Sequence, residues 1–224
     1  HGRIVVVAPD RAQSGMGHAV TINGILKMEQ VTFGVPEVEA AWQITGTPVD
    51  CVKLAIYEIL GQKPDLLLSG INHGSNASIN VIYSGTMSAA VEGAVEGIPS
   101  IGFSLLNHAP DADFSACASY VEKLSLSVLK RSLPVGTCLN VNFPDLPVSE
   151  LNGIKICRQS AGYWEDAFDK RTSPGGAPYF WMTGKFTNPD QGQDNDEWAR
   201  RNGYVSVVPT QFDLTAHYAI STLN

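Results

Sequence analysis

A chain of 224 residues, 44% of them hydrophobic, can bury one substantial core, and that excludes a wholly disordered polypeptide. Its formal net charge of −7 excludes a broadly basic, nucleic-acid-binding surface. An anionic ligand must therefore find local help, from a cation or from helix-end amides.

The opening residues His1-Gly2 lead almost at once into Ile4-Val5-Val6-Val7-Ala8-Pro9, a short β-branched run. The opening residues read as neither a signal nor a transit sequence, and so abrupt a start leads us to expect upstream sequence. Asp65–Gly70 is a second apolar run. Runs without polar alternation predict strands buried on both faces, as in parallel sheets covered by helices. Between them, Thr47 can cap a helix, Pro48 suits its first position and Asp50 its positive end. Val49, Val52, Ile56 and Ile59 repeat at helical spacing, and Gly61 ends the element.

Further on, residues 87–96 predict a helix rich in Ala and Gly, and Pro99–Ser104 a strand. Phe114, Cys117, Val121, Leu124 and Val128 form the stripe of another helix, and Thr137–Phe143 another strand. Strands alternating with helices of this length indicate an α/β, Rossmann-like three-layer fold with a mainly parallel sheet. After about Pro147 the texture changes. Ile154–Cys157 and Tyr179–Met182 predict strands on either side of a Gly/Pro/Ser-rich stretch, an acidic loop covers residues 188–197, and Tyr204–Val208 supplies a last strand before Pro209. The whole chain reads as one domain, a core of about residues 1–150 with residues 151–224 adding strands and a β-hairpin arm. No apolar run is long enough to span a bilayer. Cys51, Cys117, Cys138 and Cys157 form no CxxC pair and read as free, buried thiols of a reducing cytoplasm.

In open parallel sheets ligands bind beyond the carboxyl ends of the strands. Three segments fall there: Pro9–His18 after the first strand, Ser69–Asn76 after the next, and Tyr83–Ser88 opening a helix. First-turn amides of a helix lack internal partners and carry partial positive charge. Ser84 and Thr86 add hydroxyls, and Gly85 lets a phosphate approach the backbone; plain capping by Ser84 is the simpler reading from spacing alone. Ser14 and Asn72 offer the hard oxygens that Mg²⁺ and Mn²⁺ prefer, although such ions nearly always take a carboxylate as well. Loop hydrogen bonding is the ordinary role of Ser and Asn in turns. Asp10 is the nearest carboxylate, and capping or pairing with Arg11 is its more common use.

Other chemistries fit poorly. Gly15-Met16-Gly17-His18-Ala19-Val20 lacks the third glycine of the dinucleotide fingerprint, and there is no Gly-Lys-Ser/Thr phosphate loop and no Gly-x-Ser-x-Gly elbow. His18, His73, His108 and His217 have no metal-pair spacing, and a lone His is more often a surface or core residue than a ligand.

Taken together, APDRAQSGMGHAVT at Ala8–Thr21, GTPVDCVKLA at Gly46–Ala55 and the long stretch Pro64–Ser104 resemble signatures of the SurE (survival protein E) 5′-nucleotidase family. LNVNFP at Leu139–Pro144, YFWMTG at Tyr179–Gly184 and GYVSVVPTQFDLTA at Gly203–Ala216 extend the likeness over nearly the whole chain, most closely to Bacteroidetes-type members. The resemblance implies a metal-dependent phosphomonoesterase of nucleoside 5′-monophosphates, acting also on 3′-nucleotides and short polyphosphates. It implies a divalent cation, Mg or Mn, with Ser14 and Asn72 as metal ligands and Ser84, Gly85 and Thr86 as phosphate cradle; Asn76 and Asp10 are the nearby side chains that could support them. It implies a homodimer or homotetramer assembled through the arm, while the acidic charge and the short apolar runs speak for a cytoplasmic protein with neither a nucleic-acid polymer nor a membrane as partner.

One departure stands out. The family's other two metal ligands are paired Asp residues in an Asn-Asp-Asp-Gly motif ending its first strand, and no such motif occurs here. One βα unit of roughly 30 residues is expected upstream. A chain without it is expected to have an open edge beside its first strand and to be catalytically deficient. The catalytic residue is thus unassigned, and a phosphate- or nucleotide-binding oligomer without turnover is the alternative.

Overall fold

The computed structural model describes residues 2–223. Its elements run β1 (Ile4–Pro9), β2 (Met28–Val31), β3 (Val38–Ile44), α1 (Pro48–Leu54), β4 (Leu67–His73), α2 (Gly85–Val95), β5 (Ser100–Leu105), α3 (Ser115–Arg131) and β6 (Thr137–Phe143). Then come β7 (Ile154–Ile156), β8 (Tyr163–Thr172), β9 (Pro178–Thr187), α4 (Asp196–Arg201), β10 (Val205–Gln211) and α5 (His217–Leu223). The α/β alternation read from the sequence is present, with β2, β3 and β8 in addition.

The strands form three sheets: β1-β3-β2, β4-β5-β6-β10-β7 and the hairpin β8-β9. β4, β5 and β6 run parallel, β10 lies antiparallel to β6 and parallel to β7, and β1 runs parallel to β3. The central strands carry the core. All six residues of β5 are buried, as are six of the seven in β6. On one face Phe103, Leu105, Val141 and Phe143 meet Cys117, Leu124 and Val128 of α3. On the other, Met87, Ala90 and Ala94 of α2 close over Cys138. The Ala/Gly content of α2 permits this: a Cβ built at Gly93 would fall 2.1 Å from the Ser100 hydroxyl.

Four expectations are corrected. β1 and β4 are not buried on both faces; Ile4 and Leu68 are 43% and 47% exposed. Among the described residues β1 pairs only with β3 and β4 only with β5, so each leaves one edge open. That open edge beside β1 is the arrangement expected of the chain. The core does not stop near residue 150, because β10 inserts between β6 and β7 and buries Val205 and Val207. The last strand does not end before Pro209, which pairs with Leu139. Proline is accommodated there because β7 pairs only with residues 205–207, so no partner needs the missing amide. The acidic loop is also shorter than expected, since Asn195 caps α4 from Asp196 onward.

Helix α1 begins as read. Thr47 and Asp50 form a reciprocal capping box, and the π-helical turn Ala55–Leu60 that continues α1 ends at Gly61 with φ 62°, a conformation glycine adopts without cost. The four cysteines are free and buried. No helix is long and apolar enough to cross a membrane, among the described residues.

Candidate active site

The loop after β1 is the first component. Asp10 N donates to Ile44 O at 2.9 Å, which fixes the loop's start, and Gly17 N donates to Tyr83 O at 3.1 Å, which fixes its end. Between them Ser14 is exposed, and its hydroxyl has no hydrogen-bond partner among the described residues. Neither has the exposed Asp10 carboxylate: the pairing with Arg11 considered from sequence is not formed.

The second component is the start of α2. Ser84 is its N-cap, and its Oγ accepts from Met87 N at 3.0 Å, so the simpler reading of Ser84 holds. Capping consumes one first-turn amide and leaves others: the N–H groups of Gly85 and Thr86 have no partner among the described residues. A Cβ at Gly85 would lie 3.0 Å from Pro48 Cγ and 3.4 Å from Gln13 O. The glycine thus admits the β1 loop against the helix start, a packing role that sequence reasoning did not assign. Segments 10–18 and 84–86 are thereby brought together.

The third component is Asn72. Its Nδ2 donates to His73 O at 2.9 Å and to Gly74 O at 3.0 Å. Both amide hydrogens are engaged and the side chain cannot flip without losing them, so Oδ1 is the atom left to offer outward. Asn76, four residues on, is buried in a polar network. Its N donates to Asn142 Oδ1 at 2.8 Å, its Nδ2 to Ser104 Oγ at 2.5 Å, and its O accepts from Asn140 Nδ2 at 2.8 Å. It fastens the 73–84 loop onto the ends of β5 and β6. Farther along, Asp196 accepts from Ser78 N at 2.8 Å and Ser160 N at 2.9 Å, and Asn80 Oδ1 accepts from Trp164 Nε1 at 2.8 Å. The loop leading into α2 is thus tied to the root of the arm.

Two buried carboxylates hold these components in register: Asp50, read from the sequence only as a helix-start residue, and Glu92, which spacing alone did not single out. Asp50 accepts from Thr21 N at 3.0 Å, Thr21 Oγ1 at 2.6 Å and Thr47 N at 2.8 Å. Burial pushes its carboxyl up, but these bonds outweigh burial and hold it below the usual range. Glu92 on α2 meets Lys53 Nζ with one oxygen and His18 Nε2, at 2.8 Å, with the other. Here too burial pushes up, and the bonds to Lys53 and His18 bring the carboxyl down. Only tertiary packing reveals this second anchor of the Ser14 loop, since Glu92 lies 74 residues beyond His18.

Among the described residues no three His, Cys, Asp or Glu side chains converge into a metal-binding group. The oxygens available are instead Ser14 Oγ, Asn72 Oδ1 and the Asp10 carboxylate. Such donors suit a hard cation and no soft one.

Residues 1–166 match the family model described as Survival protein SurE. The chain is 58% identical to the 5′-nucleotidase SurE of Flavobacterium psychrophilum over 223 residues, covering 100% of this chain and 86% of that protein. It is 47% identical to the 5′-nucleotidase SurE of Bacteroides thetaiotaomicron over 224 residues, covering 100% of this chain and 85% of that one. The crystal structure of the SurE protein from Aquifex aeolicus superposes with a TM-score of 0.83 at 39% identity, covering 99% of this chain and 88% of that one. With both its sequence and its fold matched in this way, the chain belongs to the SurE family.

Proposed function

We propose that the protein is a metal-dependent phosphomonoesterase that hydrolyses nucleoside 5′-monophosphates, and also 3′-nucleotides and short polyphosphates. The observation that carries this reading is the pair of open amides at Gly85 and Thr86, set against the Ser14 loop. Two N–H groups at a helix start, with the Thr86 hydroxyl beside them, can donate to the non-bridging oxygens of a phosphate and stabilise the charge that grows there during hydrolysis. Ser14 and Asn72 would hold Mg²⁺ or Mn²⁺, with Asp10 and Asn76 in support. Such a cation, when bound, supplies charge neutralisation at the phosphate and a more acidic water. Asn76 keeps the 73–84 loop in place, and Glu92, through His18, keeps the Ser14 loop against α2.

Ser14 and Asn72 are neutral, and hard dications need anionic ligands to offset dehydration. A strand paired with the open edges of β1 and β4 and ending in carboxylates would provide them, next to Asn72. The second reading is a phosphate- or nucleotide-binding oligomer without turnover, favoured by the neutrality of Ser14 and Asn72. In either case the protein is a cytoplasmic homo-oligomer, a dimer or tetramer joined through its aromatic arm.

The anion site is tested with two substitutions at the first helical position. Gly85→Pro and Gly85→Ala both add a Cβ, but only proline removes the N–H, and its φ suits that position. Titrated with inorganic phosphate, the proline variant should bind about tenfold more weakly than the alanine variant. Equal affinities would overturn the cradle. Release of phosphate from AMP by the 224-residue chain, with and without Mn²⁺, then separates turnover from binding alone.

A further inference from the structure

We infer that His108 borders the nucleoside end of the site and holds the substrate through its imidazole, a role that rests on the phosphomonoesterase reading above. Four histidines lie among the described residues, and three are engaged. His18 binds Glu92, His217 binds Asp213 at 2.7 Å, and His73 is turned edge-on to Phe114 with ring centroids 5.0 Å apart. His108 is exposed, and neither ring nitrogen has a partner among the described residues.

Its position is nevertheless built. Leu106 N donates to Phe143 O at 3.0 Å, Asn107 Nδ2 to Asp145 Oδ2 at 3.0 Å, and Ala109 N to Asn107 Oδ1 at 2.7 Å, so the residues on both sides of His108 are fixed. The ring then rests on Gly74. A Cβ built there would fall 2.1 Å from His108 Cε1 and 2.8 Å from each ring nitrogen. Gly74 also has φ 92°, so both the ring and the backbone require glycine. The carbonyl of Gly74 is in turn one of the two that orient the Asn72 amide. His108 therefore stands on the rim beside Asn72, at the carboxyl ends of β4 and β5.

The ligand's geometry completes the argument. Its phosphate is drawn to the amides of Gly85 and Thr86 and to the cation that Ser14 and Asn72 would hold. The ester's organic part must then project outward, past the rim. A fixed imidazole with two unused nitrogens, one a donor and one an acceptor when neutral, can bond hydroxyls of the sugar there. Inorganic phosphate, which lacks that part, gains nothing from His108.

The experiment measures AMP and inorganic phosphate binding by calorimetry on the full chain, with and without His108→Ala. AMP affinity should fall about five- to tenfold while phosphate affinity stays within about twofold. His108→Gln, which keeps a donor and an acceptor, should recover part of the AMP affinity. Loss of both affinities in equal measure would make the role structural and overturn the inference, as would no loss of either. If the unaltered chain binds phosphate but AMP no more tightly, only this inference falls. If it binds neither, the phosphomonoesterase reading falls with it.

Discussion

Strands β5 and β6 and strands β8 and β9 are similarly rich in large apolar side chains, yet they meet opposite fates. Phe103 and Phe143 are 2% and 1% exposed, whereas Phe168 and Trp181 are 60% and 58% exposed. The difference lies in what covers each pair. Helices α2 and α3 close over the first pair on both faces, while the hairpin has only itself, and two strands have no second layer to bury side chains against. Apolar content alone decides nothing; the cover does. An exposed aromatic surface of this kind is what the proposed assembly through a second copy of the chain would cover.

The comparison breaks most sharply under truncation. Phe143→Ala should cost about 3–5 kcal/mol in urea unfolding, because the helices cannot collapse into the space left behind. Trp181→Ala should change the stability of the isolated chain by less than about 0.5 kcal/mol. Similar losses for the two would show that the hairpin is packed after all. A smaller effect comes from the buried carboxylates beneath the site. Asp50→Ala strands the amides of Thr21 and Thr47 and should cost about 1–3 kcal/mol. Asp50 is held below its ordinary value in the folded protein, so its contribution is present above that value and lost as pH falls through the lowered one. Thermal melting between pH 7 and pH 3 should therefore fall less steeply for the variant. The smallest effect on stability and the clearest on assembly is expected at the arm. Replacing Phe168, Phe180 and Trp181 with serine should leave the melting temperature nearly unchanged and move the light-scattering mass to that of one chain.

Much of the fold was legible because its signals are local. The Thr47 cap, Pro48, the apolar stripe and Gly61 specify their helix within fifteen residues, and the structure follows them. The strands β2 and β3 were passed over because Met28–Val31 is polar and Val38–Ile44 is moderately apolar; they pair by position, not by strong pattern. The candidate site was legible in its three segments, since strand-end loops and a helix start can be read one at a time. What joins them was not. Nothing near Glu92 announces His18, nothing near Gly74 announces His108, and the hold of Asp196 on Ser78 spans 118 residues.

The four buried thiols have a practical consequence. A cysteine is alkylated as its thiolate, and burial pushes Cys51 and Cys138 up to about 12 and Cys117 up to about 11. At neutral pH a modifying reagent therefore finds almost nothing to react with until a segment opens. Each thiol becomes a clock for its own neighbourhood: Cys51 for α1, Cys138 for β6, Cys117 for α3, and Cys157 for the stretch beside β7. Timed labelling followed by mass analysis would rank these regions by how often they breathe, with no engineered probe. Cys138, fully buried in a strand with six of its seven residues buried, should be the last to be marked.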